Sequence, residues 1–175
     1  MAGLAQLENF VREGGSLIAF DAAADLPVQL FPLPLRNLIS GSASTPEDAP
    51  PTGYYSPGSI LRITVDTSNP LAFGMPQEAY AFSSGGQAYD ITLLPEYNRG
   101  EREVRSVAKY ASRDLLASGW ISGEKAVLGK HILVDARYGK GHVILFGFRP
   151  QFRGQSFGTF KFLLNAIYLG SAKPL

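Results

Sequence analysis

Asp21 and the run Arg149, Gln151, Arg153 and Gln155 are the residues of this 175-residue chain best suited to hold a ligand. Asp21 closes a nearly all-apolar segment, Ser16 to Phe20. A carboxylate at the C-terminal end of a buried strand stands where open α/β sheets place their ligands. The same residue type also caps a following helix by accepting hydrogen bonds from its free N–H groups. The second group follows another apolar segment, His142 to Phe148. Two guanidiniums and two amides there form a donor-rich loop, ahead of a helix N-terminus near Ser156 to Thr159. Such a place suits an anion or carboxylate. The alternative is a structural loop whose arginines bond carbonyls or pair with Asp21. If the two strands are parallel, both loops lie on one edge of the sheet, within reach of an Asp21–Arg149 contact.

Other chemistries find less support. The chain has no cysteine, which excludes disulfides, thiolate metal sites and cysteine nucleophiles together. His131 and His142 flank a predicted hairpin, but a metal needs three or four ligands and the sequence places no carboxylate with them. Ser16, Ser56, Ser59 and Ser156 lie outside any Gly-x-Ser-x-Gly pattern. Gly139-Lys140-Gly141 is too short for a phosphate loop. Tyr54, Tyr55, Phe73, Tyr80, Tyr89, Trp120 and Tyr138 offer an aromatic strip, although aromatics more commonly fill cores. No catalytic residue, metal or cofactor is assigned. The candidate ligand set is Asp21, Arg149, Gln151, Arg153 and Gln155.

Composition narrows the partners. Sixteen basic and fifteen acidic residues nearly cancel, so there is no electrostatic footprint for nucleic acid or acidic lipid. Hydrophobic residues make up 45% of the chain, enough for a core. No apolar run approaches the roughly 18 residues of a membrane span. The segment after Met1 lacks the basic and apolar regions of a leader, and the chain opens directly in an amphipathic helix. The expectation is one domain over 1–175, taken from a longer chain.

The elements that must position the candidates follow from periodicity. Leu4, Leu7, Phe10 and Val11 recur at helical spacing, and Gly14-Gly15 stops that helix. Ser16 to Phe20 is a strand apolar on both faces, the mark of a sheet covered by helices on each side. A short helix over Ala23 to Leu30 ends before Pro32 and Pro34. Leu35 to Ile39 is a short strand, and Ser40 to Ser56 an exposed loop. Strands are predicted over Ser59 to Val65, Ala79 to Phe82, Ala88 to Leu94 and Val104 to Tyr110, with helical turns over Asp114 to Ser118 and Glu124 to Leu128. His131 to Tyr138 and His142 to Phe148 form a hairpin through Gly139-Lys140-Gly141. Gly158 to Tyr168 is the last helix. The order is helix, buried strand, helix, a set of mostly antiparallel strands, then a final strand and helix, an α/β layer fold.

Leu7-Glu8-Asn9-Phe10-Val11-Arg12-Glu13-Gly14-Gly15-Ser16-Leu17-Ile18-Ala19-Phe20-Asp21 resembles the segment before the nucleophile elbow of class I glutamine-amidotransferase-like domains. Tyr138-Gly139-Lys140-Gly141-His142-Val143-Ile144-Leu145-Phe146 resembles their late hairpin strand. The chain as a whole is similar to the C-terminal region of bacterial zinc-carboxypeptidase-like proteins of the carboxypeptidase A type. The matching phrases are Tyr55-Ser56-Pro57-Gly58-Ser59, Asn69-Pro70-Leu71-Ala72-Phe73-Gly74-Met75-Pro76 and Gly147-Phe148-Arg149-Pro150-Gln151-Phe152-Arg153-Gly154-Gln155.

The resemblance implies a three-layer, flavodoxin-like α/β fold with a mixed, mostly parallel sheet that lacks its N-terminal strands. It also implies an upstream peptidase domain as partner and export to the periplasm or exterior. At the elbow, where the family carries cysteine, stands Asp21; at its histidine position stand Phe148 and Arg149. The amidotransferase catalysts are therefore absent, as is the peptidase His-x-x-Glu pair. The implied function is a non-catalytic accessory or ligand-binding domain. A hydrolase with an altered site around Asp21 and Arg149, and a small-carboxylate or carbohydrate binding module, are the alternatives.

Overall fold

The structure, a computed structural model, describes residues 2–39, 53–92, 94, 96, 98–154 and 156–171. Most of the predicted Ser40 to Ser56 loop, and Gln155, lie outside them. The first helix, α1 (Ala2–Arg12), stops as its glycines require. Gly14 N–H donates to Val11 O and Gly15 N–H to Phe10 O, with Gly14 at φ 120°. This is the two-bond glycine cap of a helix C-terminus. It turns the chain directly into β1 (Ser16–Phe20). A 3-10 turn over Asp21–Ala24 leads into α2 (Asp25–Leu30), somewhat later than the periodicity predicts.

The remaining strands are β2 (Leu35–Asn37), β3 (Ser59–Val65), β4 (Glu78–Ser83), β5 (Tyr89–Ile91), β6 (Val104–Tyr110), β7 (Leu116–Ser118), β8 (His131–Tyr138) and β9 (Gly141–Phe146), followed by α3 (Phe160–Ser171). The main sheet runs β1-β9-β8-β6-β3-β4, with β5 joined to β8, β2 to β5 and β7 to β3. Among the described strands only β1 and β9 pair in parallel, with Ser16 beside His142 and Phe20 beside Phe146. The other pairings are antiparallel. The sheet is thus mixed, but mostly antiparallel rather than mostly parallel. Parallel neighbours need a long crossover, whereas a turn as tight as the one after Tyr138 joins β8 to β9.

β9 shows why the layers number three. Ile144 and Phe146 pack into one core with Phe162 and Ala166 of α3. Val143 and Leu145, on the opposite face, pack into a second core with Val11 of α1 and Phe31 after α2. A strand covered on both faces is apolar throughout, as the sequence of β9 is.

One expected element changes type. Asp114 to Ser118 was expected to form a helical turn, but Leu116–Ser118 is a strand against β3. Arg62 Nη1 donates to the carbonyls of Asp114 and Leu116, at 2.7 and 2.6 Å, and the backbone N–H of Arg62 donates to Leu115 O. Long-range bonds from β3 override a weak local preference.

Candidate functional site

Asp21 stands at the C-terminal end of β1 in the left-handed region, at φ 51°, where a non-glycine residue is strained. The chain therefore makes a sharp strand-to-turn corner with Asp21 at its apex. The residue before the turn, Phe20, makes no side-chain capping bond, while the Asp21 carboxyl faces the backbone N–H of Ala22 inside the turn. Arg149 Nε also donates to Asp21 Oδ2 at 3.0 Å. The residue is only 6% exposed. Burial pushes the Asp21 carboxyl above its ordinary value, and the Arg149 charge, the Arg149 hydrogen bond and the backbone N–H groups of Gly86 and Ala22 oppose that rise.

Arg149 reaches Asp21 because parallel β1 and β9 end at the same edge of the sheet. Its side chain is 51% exposed, and the only hydrogen bond its guanidinium makes among the described residues is through Nε. The guanidinium lies 5.6 Å from the centre of the Phe152 ring, and that of Arg153 lies 5.3 Å from the same centre. Phe152 stacks in turn on Phe82, at 4.8 Å and 9°. Arg153 is itself left-handed, at φ 47°. The loop is fixed from below, where Thr159 Oγ1 donates to Pro150 O at 2.7 Å. Arg149 and Arg153 are thus gathered around one stacked aromatic pair, with Asp21 bonded to the first of them. Gln151 is exposed and points to no described partner, and Gln155 lies outside the described residues.

Behind the elbow is a polar interior that sequence reasoning missed. Gly86, at φ 74°, brings its loop so close that a Cβ there would meet Ser83 Oγ at 2.7 Å and Tyr110 Oη at 3.3 Å. Tyr110 Oη donates to Gln87 O at 2.9 Å. Asn37 Nδ2 donates to Asp25 Oδ1 at 2.7 Å and also to Gln87 Oε1. Tyr89 is fully buried and its hydroxyl has no partner among the described residues. Burial, then Asp25 and Asp21, push its ionisation far upward, so it stays a neutral phenol. The signal available was the pair Gly85-Gly86 between two strands, which reads from sequence only as a turn. Of the aromatic strip, Tyr54, Tyr89 and Tyr138 are buried, while Phe73, Tyr80 and Trp120 are exposed.

The two histidines serve separate contacts. His131 Nδ1 is 2.8 Å from Ser106 Oγ at the start of β8. His142 Nδ1 is 2.8 Å from Asp135 Oδ1 near the hairpin turn. Among the described residues no group of three or more His, Asp or Glu is placed to hold a metal.

No family model matches this chain, and no curated protein matches it. Solved structures do. A ThuA-like protein from Bacteroides uniformis aligns with a TM-score of 0.52 at 16% identity, over 98% of this chain and 64% of that one. One from Parabacteroides merdae aligns with a TM-score of 0.53 at 15% identity, over 98% and 67%. A protein of Salmonella typhimurium described as cytoplasmic aligns with a TM-score of 0.56 at 17% identity, over 95% and 59%. The chain spans roughly three fifths to two thirds of the length of these neighbours. At such identities the likeness is one of fold, and it supports the glutamine-amidotransferase-like architecture.

The comparisons overturn two expectations. The neighbours are ThuA-like proteins, a different family from carboxypeptidase-derived domains, so the carboxypeptidase resemblance falls. Its phrases are largely backbone punctuation. Asn69, for example, accepts the Leu71 N–H ahead of a 3-10 turn that begins at Pro70. Residues dictated by a turn recur wherever the turn recurs and do not mark a family. Export rested on the same resemblance and falls with it; two of the neighbours are themselves described as cytoplasmic proteins.

Proposed function

We propose that this chain is a ligand-binding domain with no catalyst of its own at the elbow, and that its ligand presents a carboxylate or sugar hydroxyls to Arg149 and Arg153. The observation that carries this reading is the state of Asp21. Its carboxylate is sealed from solvent and already bonded to Arg149, so it orients a guanidinium rather than facing a substrate. An arginine held through Nε keeps its two terminal nitrogens for a planar acceptor, and an arginine fork matches a carboxylate. Phe152, stacked on Phe82, supplies an apolar floor beside it. A domain of this kind suits an accessory role beside a catalytic partner.

One observation favours a hydrolytic reading instead. Asp21 is strained at the apex of the corner, and strain of this kind clusters at reacting sites. A titration followed by backbone amide NMR separates the two readings. Small carboxylates and monosaccharides should shift the resonances of 149–154, and Arg149→Gln should abolish the shifts. Turnover of an ester or amide panel that Asp21→Asn eliminates would replace this reading with the hydrolytic one.

A further inference from the structure

Ser16, His142 and Asp135 stand in a row across the neighbouring strands β1, β9 and β8, at the other end of β1 and β9 from the elbow. Ser16 of β1 is the register partner of His142 of β9. Two residues further along each strand, Ile18 and Ile144 pack into the core with α3, so Ser16 and His142 share that face of the sheet. Gly170 of α3 lies over Ser16, since a Cβ there would stand 3.1 Å from Ser16 Oγ. On the other side of His142, Asp135 of β8 places Oδ1 2.8 Å from its Nδ1. The Asp135 side chain is 12% exposed and that of His142 35%. The acid is nearly sealed, and the base opens to solvent.

The three line one groove of about 680 Å³ beside the last turn of α3, a size that suits a small molecule. Arg137 stands opposite His142 in the β8–β9 register. Arg137 and Lys140 also line the groove, and neither side chain makes a hydrogen bond among the described residues. An ionised Asp135 can only accept, so Nδ1 carries the hydrogen and Nε2 is left to take a proton. Ser16 Oγ makes no hydrogen bond among the described residues. Neighbouring strands lie about 4.8 Å apart, so rotation about χ1 brings it toward Nε2. Such pairs commonly tighten only as substrate binds.

We propose that this groove is an acyl-transfer site for esters of small acids, with Ser16 as nucleophile, His142 as base and Asp135 as the residue that positions the base. Ser16 Oγ attacks the ester carbonyl carbon, and its proton passes to His142 Nε2. The carbonyl oxygen gains negative charge beside the Arg137 and Lys140 cations. The C–O bond to the alcohol then breaks, and the alcohol leaves with the proton from Nε2. Water attacks the acyl group on Ser16 and gives a proton to Nε2; the acid departs as Ser16 recovers that proton. No residue of the elbow takes part.

A fluorophosphonate probe on the full chain, followed by mass spectrometry, tests this. The wild type should carry one adduct, on Ser16. His142→Gln should slow labelling by about 100-fold or more with unchanged circular dichroism, and His131→Gln should leave the rate as it is. The Asp135 hydrogen bond raises His142, against burial and the charges of Arg137 and Arg105; Glu13, Glu103 and Lys140 are the other charged groups around the groove. Labelling should therefore rise with pH through a value above about 6.5, and Asp135→Asn should move that rise to lower pH. No adduct on folded wild type, an adduct on another residue, or a rate that His142→Gln does not change overturns the proposal.

Discussion

Asp21 and Arg149 lie 128 residues apart in sequence and are joined by one hydrogen bond of 3.0 Å across the ends of two parallel strands. The pair has unequal partners, since Asp21 is buried and Arg149 is half in solvent. Removing the exposed partner therefore leaves a sealed carboxylate with backbone N–H groups alone. Arg149→Gln should cost about 1–3 kcal/mol at neutral pH, the penalty for a buried group stripped of a bond. The loss should shrink in acid, where the carboxyl, already raised by burial, takes up a proton. Urea denaturation of both proteins at neutral and acid pH measures it; a loss that does not change with pH contradicts the assignment.

The corner at Asp21 can be tested apart from its charge. Asp21→Ala and Asp21→Gly both delete the carboxylate, but only glycine is at ease at φ 51°. The glycine variant should be the more stable by about 1–2 kcal/mol. Equal stability would mean that the backbone relaxes out of the left-handed conformation once the ion pair is gone.

Two buried tyrosines should respond oppositely to loss of the hydroxyl. Tyr110 Oη donates to the Gln87 carbonyl, so Tyr110→Phe leaves that carbonyl short of a donor and should lose about 1 kcal/mol. Tyr89 Oη has no partner among the described residues, so Tyr89→Phe removes a buried polar group at no loss of a bond and should be neutral or stabilising. Thermal denaturation of the two variants gives the comparison. A Tyr89→Phe loss as large as that of Tyr110→Phe would mean that the hydroxyl has a hydrogen-bond partner after all.

The legible part of the fold was the part governed by local pattern. β1 was bounded correctly because its apolar run sits between a glycine stop and a charge, and α1 because Gly14-Gly15 can end a helix with left-handed backbone. The elbow pair was reachable because two apolar strands ending on one edge of the sheet must bring their next residues together. Sheet direction was not reachable from family likeness; only the turn between β8 and β9 sets it locally, and the other antiparallel pairings join strands separated by longer stretches of chain. β7 was missed because the bonds that form it come from Arg62, some fifty residues upstream. The interior behind Asp21 was missed because Tyr89 and Tyr110 read as strand residues and Gln87 falls between two predicted strands, and nothing local shows their hydroxyl and amide groups converging.

Gly141 tests how α1 is seated on the hairpin. A Cβ at this position would run into the carbonyl oxygens of Val11 and Gly15. Both belong to main chain, so neither can turn aside as a side chain would. Lys140 N–H donates to Arg12 O and His142 N–H to Gly15 O, which ties the helix end to the turn. Gly141→Ala should therefore pry α1 from β9 and cost about 3 kcal/mol or more, in the range of severe backbone and overpacking changes. Hydrogen exchange should show the α1 amides losing protection first. Exchange of α1 at the wild-type rate would show that the helix is held by its side chains alone.

His131 and His142 should tilt the stability curve in opposite directions. Burial, with the charges of Lys109 and Lys130, holds His131 down to about 4, below the ordinary value of about 6.5 in an unfolded chain. Between those two values the unfolded chain binds more protons, so stability rises with pH. The His131 contribution is complete above the unfolded value and is lost as pH falls through about 4. His142 is raised by its hydrogen bond to Asp135, so its contribution is complete below the unfolded value and fades as pH rises through the folded one. His131→Gln should therefore flatten the acid side of a stability-against-pH curve, and His142→Gln should remove a fall in stability on its neutral-to-alkaline side. Urea midpoints collected from pH 4 to 8 on wild type and both variants decide the matter; curves that run parallel for all three proteins would show that neither histidine is linked to folding.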